Sequence, residues 1–388
     1  MLSTSKTYCL IRKVNQNASM SRSHTDKSIA RLIYVDGYNA CGKSILLGLL
    51  DGSPQTFIAP IQDSIINAFA DCPYLESILE NRDLALMRKM LIEYSNFYII
   101  EQYSAKGRIR HECSRSDFWY PDFNFDFQAF ETALLSYLRS RNVWTVAETI
   151  MKIYSLMPVS WPACYLNPSD CSKYVAWGLS STGGISLVLS EFTDARVISM
   201  RRSAIDILAS RLSRSPNPDN YRSKYRLSTG FWDYINSNII SQIQKRDSVV
   251  DQLKQQYPGR LKIVEFDELI NNTSTIMEDV YGFLSIDPPP SGINYSFNGN
   301  QAPPAFQNKA LAAINDTSSL LSPSERLVVE LESGCNILPV LRSHPNLTLK
   351  WYLMRRVKNR SSRAIINYII RVYHAIIRKL KWNSECAM

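Results

Sequence analysis

Metal-binding spacings are missing from this chain. Its eight cysteines (positions 9, 41, 72, 113, 164, 171, 335 and 386) form no C-x-x-C pair, and only four histidines accompany them. This excludes a zinc framework as the organising feature. Thiols this scattered predict a reducing compartment, and hence the cytoplasm. Long apolar runs are missing too: the best, "AIINYIIRVYHAII", is interrupted by Arg371 and His374, so no membrane span is expected. Residues 1–30, rich in Ser and Asn, lack the apolar segment of a signal peptide and read as a flexible lead. No internal repeat is visible, which excludes a solenoid.

Net charge is absent from the body of the chain. Of the formal charge of +9, the whole excess falls after Leu349, where ten Lys or Arg stand against the single Glu385. A neutral body argues against a protein wrapped by nucleic acid. Residues 346–388 read as a basic amphipathic helical tail. Arg363, Asn367, Arg371, His374, Arg378 and Lys381 form one polar stripe, and Ile365, Ile369, Val372, Ile376 and Leu380 lie across the rest. Such a helix docks on the body, or makes peripheral contact with an anionic membrane.

What is present is a soluble globular composition, 45% hydrophobic and 20% charged over 388 residues. "RLIYVD" (31–36), "TFIA" (56–59), "ARVISM" (195–200) and "LKIVEF" (261–266) read as strands, and helical periodicity follows them. The alternation predicts an α/β fold, a P-loop-type parallel sheet flanked by helices, over residues 31–345. Within it, residues 64–170 read as mostly helical, broken by the aromatic-rich "RSDFWYPDFNFDF" at 115–127, and are expected to form a helical substrate cap or lid. "SPSE" at 322–325 carries a helix-start capping box.

The most specific motif follows the first strand. Gly37, Tyr38, Asn39, Ala40, Cys41, Gly42, Lys43 and Ser44 complete a G-x-x-x-x-G-K-S phosphate loop, with a helix expected from Lys43 to Leu50. In such a loop backbone N–H groups and the positive end of the helix cradle an anion, while the lysine adds a point charge and the serine a hydroxyl. The loop alone fits a kinase or ATPase working with ATP and magnesium. Asp267 or Glu268, after the last strand, would then be the metal-holding acid. It also fits a nucleotide-binding protein without catalysis. A second anchor lies in "ARVISMRRSAIDILASRL", where Arg202 ends a strand and Ser210 follows eight residues later on a helix. A cation at a strand's C-terminal edge must be solvated or paired, and makes a second anion site.

With both anchors in hand, the chain resembles the sulfotransferase family, whose members transfer a sulfuryl group from 3′-phosphoadenosine 5′-phosphosulfate (PAPS). In that family a phosphate-loop relative is followed by an arginine, a helix and a serine eight residues on, the pair that binds the donor's 3′-phosphate. Arg202, Asp206 and Ser210 fall on the matching positions. "IVEFDELINN" is similar to the family's tyrosine–glutamate–x–leucine segment at Phe266, Asp267 and Leu269. "VYGFLSID" (280–287) and "LLGLLDGSP" (46–54) resemble its helix end and its post-loop turn. The family's loop has a basic residue where Ala40 stands, so here the charge has moved to Lys43.

The resemblance implies PAPS as donor, no metal, and an acceptor hydroxyl or amine on a small molecule, glycan or lipid. Lys43 would stabilise the leaving group. Family members place a His or Glu base just beyond the second strand, where this chain has Asp63, in a position that also suits a helix N-cap. His111 and Glu112, in the expected lid, are the other candidates for the base.

Overall fold

The computed structural model describes residues 31–301, except 60–61, 107, 111–118, 122, 163, 168, 179–181 and 215–238, together with Leu321, Arg326 and Val329. The lead at 1–30, His111, Glu112, the 322–325 capping box and the basic tail at 346–388 lie outside the described residues.

In chain order the elements are β1 (Arg31–Gly37), α1 (Lys43–Leu50), β2 (Thr56–Ile58), α2 (Ile65–Asp71), α3 (Leu75–Asn81), α4 (Leu84–Tyr94) and α5 (Ile99–Ala105). Next come β3 (Arg108–Arg110), β4 (Trp119–Pro121), α6 (Phe127–Ser140), α7 (Val146–Val159), β5 (Lys173–Trp177) and α8 (Thr182–Glu191). The remainder is β6 (Arg196–Arg201), α9 (Ala204–Arg214), α10 (Ser241–Gln256), β7 (Leu261–Glu265), α11 (Phe266–Asn271), α12 (Thr273–Leu284), β8 (Ser296–Phe297) and β9 (Asn300–Gln301).

Five strands form one parallel sheet in the order β2-β5-β1-β6-β7. The expected α/β fold is what the structure has. One strand went unread in the sequence: β5, "KYVAW", inserts between β1 and β2. It is short and begins with a lysine, yet all five of its residues are buried.

From Leu32 to Val35 β1 is apolar without interruption because helices cover both its faces. Side chains alternate across a strand, so Leu32 and Tyr34 join one core while Ile33 and Val35 join the other. The first core takes in Ile65, Ile66 and Phe69 of α2, Ile185 and Val188 of α8, and Val250 of α10. The second takes in Leu46, Leu49 and Leu50 of α1, Phe266 and Leu269 of α11, and Met277, Val280 and Tyr281 of α12. A smaller cluster joins Tyr38 to Ile207, Leu208 and Leu212 of α9 and to Ile239, Ile240 and Ile243.

Three of the helices between β2 and β5, α4, α6 and α7, start on side-chain caps. Asp83 accepts from the Ala85 and Leu86 N–H groups, Asp126 from Ala129 and Thr145 from Glu148. Of the aromatic-rich segment, Phe123 and Phe125 are buried, Phe123 against Trp161 and Phe125 beside Phe97 and Phe130.

A charged group interrupts the core directly beneath the loop. Asp36 is fully buried, and its carboxylate accepts from Arg246 of α10 at 3.0 Å. Arg246 also donates to Ser199 of β6 at 2.6 Å and pairs with Asp247 at 3.2 Å. Burial works against the guanidinium charge, yet the Asp36 carboxylate keeps its pKa above the usual value. Removing one partner of such a pair strands the other charge in a dry site. Arg246→Ala is expected to cost about 3–5 kcal/mol in urea unfolding, whereas Asp36→Asn combined with Arg246→Met should cost much less than the single change.

Candidate functional site

β1 connects to β2 on one side of the sheet, while β6 connects to β7 on the other. The chain therefore reverses direction between β1 and β6, and the crevice beyond their C-terminal ends is where open α/β sheets bind ligands. Register places Gly37, the last residue of β1, beside Met200 of β6. The loop at 37–44 and Arg202 both leave the sheet there.

The loop is tightly folded. The Cys41 N–H donates to the Tyr38 carbonyl at 3.1 Å, and Gly42 heads α1 by accepting from Ile45 and Leu46. Ala40 and Gly42 both have positive φ, 75° and 94°. Two glycines are required by space as well. A Cβ on Gly37 would lie 2.4 Å from Cys41 Sγ, and one on Gly42 would lie 2.2 Å from the Phe266 ring. Asn39 is exposed at the crest, whereas Tyr38, Ala40 and Cys41 are buried. Tyr38 donates to Gln242 at 3.2 Å and lies under the Arg211 guanidinium. Burial pushes the Cys41 thiol up, partly offset by Lys43, so the sulfur packs as a small apolar group.

Lys43 is buried, with Nζ donating to the carbonyls of Gly37 at 2.7 Å and Gly178 at 2.8 Å. It thus spans the ends of β1 and β5. Gln62 donates to the same Gly178 carbonyl at 2.5 Å, which brings the chain after β2 to the same edge. Ser44, half-buried at the start of α1, opens on the β5–β2 side into a cleft also lined by Leu47, Gly48, Asp51, Trp161 and Trp177. Burial pushes the Asp51 carboxyl up to about 6, against hydrogen bonds from Gly299 N–H and Ser296 Oγ that hold the β8–β9 hairpin in place.

Asp63 is fully buried. Its Oδ1 accepts from the Tyr154 hydroxyl at 2.6 Å and from the Ile65 N–H at 2.9 Å. Its Oδ2 has no hydrogen-bond partner among the described residues. Burial, the largest effect, raises the carboxyl to about 7, with the Tyr154 and Ile65 bonds pulling the other way. Asp63 therefore braces the first turn of α2, and the Trp177 backbone also pulls its pKa down. Tyr154, ninety-one positions away, was not readable as its partner from the sequence.

On the β6 side, the two arginines of "MRRS" part company. Arg201 is tied to Asp247 and Asp251 of α10, at 3.5 and 2.6 Å. Arg202 turns to the loop: Nη1 donates to the Ala40 carbonyl at 3.2 Å, and its Cζ sits 4.2 Å from the Phe266 ring centre. Asp206 closes a capping box on α9, accepting from Ser203 Oγ while its own N–H donates back to that oxygen at 3.1 Å. Ser210 is buried two turns along the same helix. Asp267 and Glu268 fall in the first turn of α11, after β7, which is separated from β1 by β6. Burial and Asp206 push Asp267 up, and Arg202 pulls it down.

Lys43, Gln62–Asp63 and Arg202 thus share one sheet edge. No helix among the described residues is long and apolar enough to cross a membrane. No protein-family profile and no curated protein sequence matches the chain. Solved structures similar in chain path include several sulfotransferases. They include the sulfotransferase domain of the olefin synthase of Synechococcus PCC 7002, at 13% identity and TM-score 0.41, covering 81% of this chain and 97% of that one. Others are STF9 from Mycobacterium avium, at 12% and 0.37 over 90% and 80%, and a sulfotransferase from Alicyclobacillus acidocaldarius, at 10% and 0.33 over 79% and 97%. Similarity this distant concerns chain path alone, and the functional reading rests on the residues themselves.

Proposed function

We propose that the chain is a cytoplasmic sulfotransferase with PAPS as donor and a hydroxyl or amine of a small molecule, glycan or lipid as acceptor. The observation that carries this reading is Arg202, whose Nη1 donates to the Ala40 carbonyl of the loop at 37–44. A bisphosphorylated nucleotide needs two cation-bearing cradles at a fixed separation, and the two here adjoin. Phosphoryl transfer from ATP asks for a magnesium-holding acid beside β1. The strands flanking β1 end instead in Trp177–Gly178 and Arg201–Arg202, while Asp267 and Glu268 lie beyond β6.

When bound, the donor supplies a sulfuryl group: an acceptor O–S or N–S bond forms as the S–O bond to phosphate breaks, and adenosine 3′,5′-bisphosphate leaves. The chain's own residues have three tasks. Loop amides, Lys43 and Ser44 would hold the 5′-phosphate and take up the charge that gathers on the leaving oxygen. Arg202, with Ser210 behind it, would hold the 3′-phosphate. Asp63, whose carboxyl titrates near neutrality, would take the acceptor's proton at Oδ2.

Thermal shifts test the donor directly. Adenosine 3′,5′-bisphosphate should stabilise the protein more than ATP with magnesium, and stabilisation by ATP–magnesium alone would overturn the reading. Lys43→Ala should lower the transfer rate by about 10²–10³.

The pH dependence has a definite sign. A base must be unprotonated, so the transfer rate should rise with pH and level off above about 7, and Asp63→Asn should remove that limb along with most of the activity. Stability should run the opposite way. The folded carboxyl holds its proton to a higher pH than the unfolded one, so the unfolded state binds fewer protons between about pH 4 and 7. Folding stability then falls across that window and is flat above it. In Asp63→Asn, melting temperatures should lose this slope.

A further inference from the structure

The two anion cradles share one side chain. Phe266 is the first residue of α11 and is 1% exposed. One edge of its ring fills the space beside Gly42, so closely that a Cβ there would lie 2.2–2.3 Å from two ring carbons. The Arg202 guanidinium carbon stands 4.2 Å from the ring's centre, within cation–π range. We propose that Phe266 is a positioning residue for the bisphosphate site: its ring fixes the Arg202 guanidinium against the phosphate loop, and so sets the spacing between the 3′- and 5′-phosphate cradles. This rests on the PAPS reading.

Three features of the geometry support it. First, a guanidinium on a long side chain has several rotamers to lose on binding, and a ring face beneath it removes most of them in advance. Second, the Nη1 bond to the Ala40 carbonyl at 3.2 Å ties the guanidinium to the loop backbone as well. Arg202 thus contacts both the loop backbone and the ring, with the loop's own Gly42 packed on that same ring. Third, the ring is itself fixed, buried in the core with Val264 and Leu269. Phe266 therefore reads the distance between cradles without touching either phosphate.

The test compares two ligands in three proteins. Adenosine 3′,5′-bisphosphate carries both phosphates and adenosine 5′-phosphate only one. In Phe266→Leu, affinity for the bisphosphate should fall about three- to tenfold, the scale of one cation–π contact, while affinity for the monophosphate changes less than twofold. Phe266→Tyr keeps the ring and should restore most of the difference. Equal losses for both ligands, or none for either, would reduce Phe266 to core packing and overturn the proposal. A ligand-free readout separates this from failure of the donor reading. The Arg202 Nε–H resonance, assigned with Arg202→Lys, should be ring-current shifted in the wild type and move toward its ordinary position in Phe266→Leu. A wild type with that shift but no affinity for the bisphosphate would sink the donor reading, and with it any role for Phe266 toward the 3′-phosphate. A wild type that binds the bisphosphate without that shift would sink the positioning role alone.

Discussion

A parallel strand leaves its sheet at the same edge as its neighbours, and that constraint sets most of what this molecule can do. With β1 central between β5 and β6, the segments after four different strands are delivered to one rim. They are the loop at 37–44, Gln62–Asp63, Trp177–Gly178 and Arg201–Arg202. The Lys43 ammonium joins two of these ends by bonding to carbonyls of both Gly37 and Gly178. Positive charge is thereby fixed at the rim by backbone geometry, whatever the surface residues do.

The buried Asp36–Arg246 pair works one layer below. Desolvating two charges is expensive, so a pair at this depth is weak evidence of net stabilisation. Its geometry has a clearer consequence. Arg246 bridges the last polar residue of β1 and Ser199 of β6, and so ties α10 under both strands that frame the crevice. An apolar pair would fill the same volume without dictating how α10 sits against β1 and β6, because only the ion pair is directional.

Much of this was legible in the chain, and what was not has a physical reason. Strand β1, the loop and helix α1 announce themselves through a continuous apolar run, two glycines and an apolar helix. Strands β6 and β7 do so through buried runs followed by helical periodicity. β5 was missed because five residues starting from a lysine show neither alternation nor length. Its lysine is there because Nζ donates to the Leu284 and Ser285 carbonyls at the end of α12, a contact only the fold creates. The same holds at the site. Lys43, Asp63 and Arg202 could be picked by type and spacing. Tyr154 and Arg246 could not, since each meets its partner across 91 and 210 residues of chain. Phe266 could be read as buried, but its contact with both Gly42 and Arg202 depends on the sheet order.

The loop itself shows how a displaced charge is accommodated. A basic side chain at position 40 would have to leave a buried site, for Ala40 and Cys41 are both buried and the sulfur packs against Gly37. Here Ala40 offers its carbonyl instead of a charge. Its left-handed backbone, at φ 75°, costs roughly 1–2 kcal/mol for a non-glycine residue, and that carbonyl accepts from Arg202. Lys43 stands three positions later, at the N-terminus of α1, where the helix dipole already favours an anion. The loop is thus charged from two sides by groups held on backbone carbonyls. An anion entering the crevice can draw Lys43 from the Gly37 and Gly178 carbonyls, a smaller cost than breaking an ion pair. The two neighbouring arginines thus take different places: Arg201 pairs with Asp247 and Asp251 of α10, while Arg202 reaches the loop backbone.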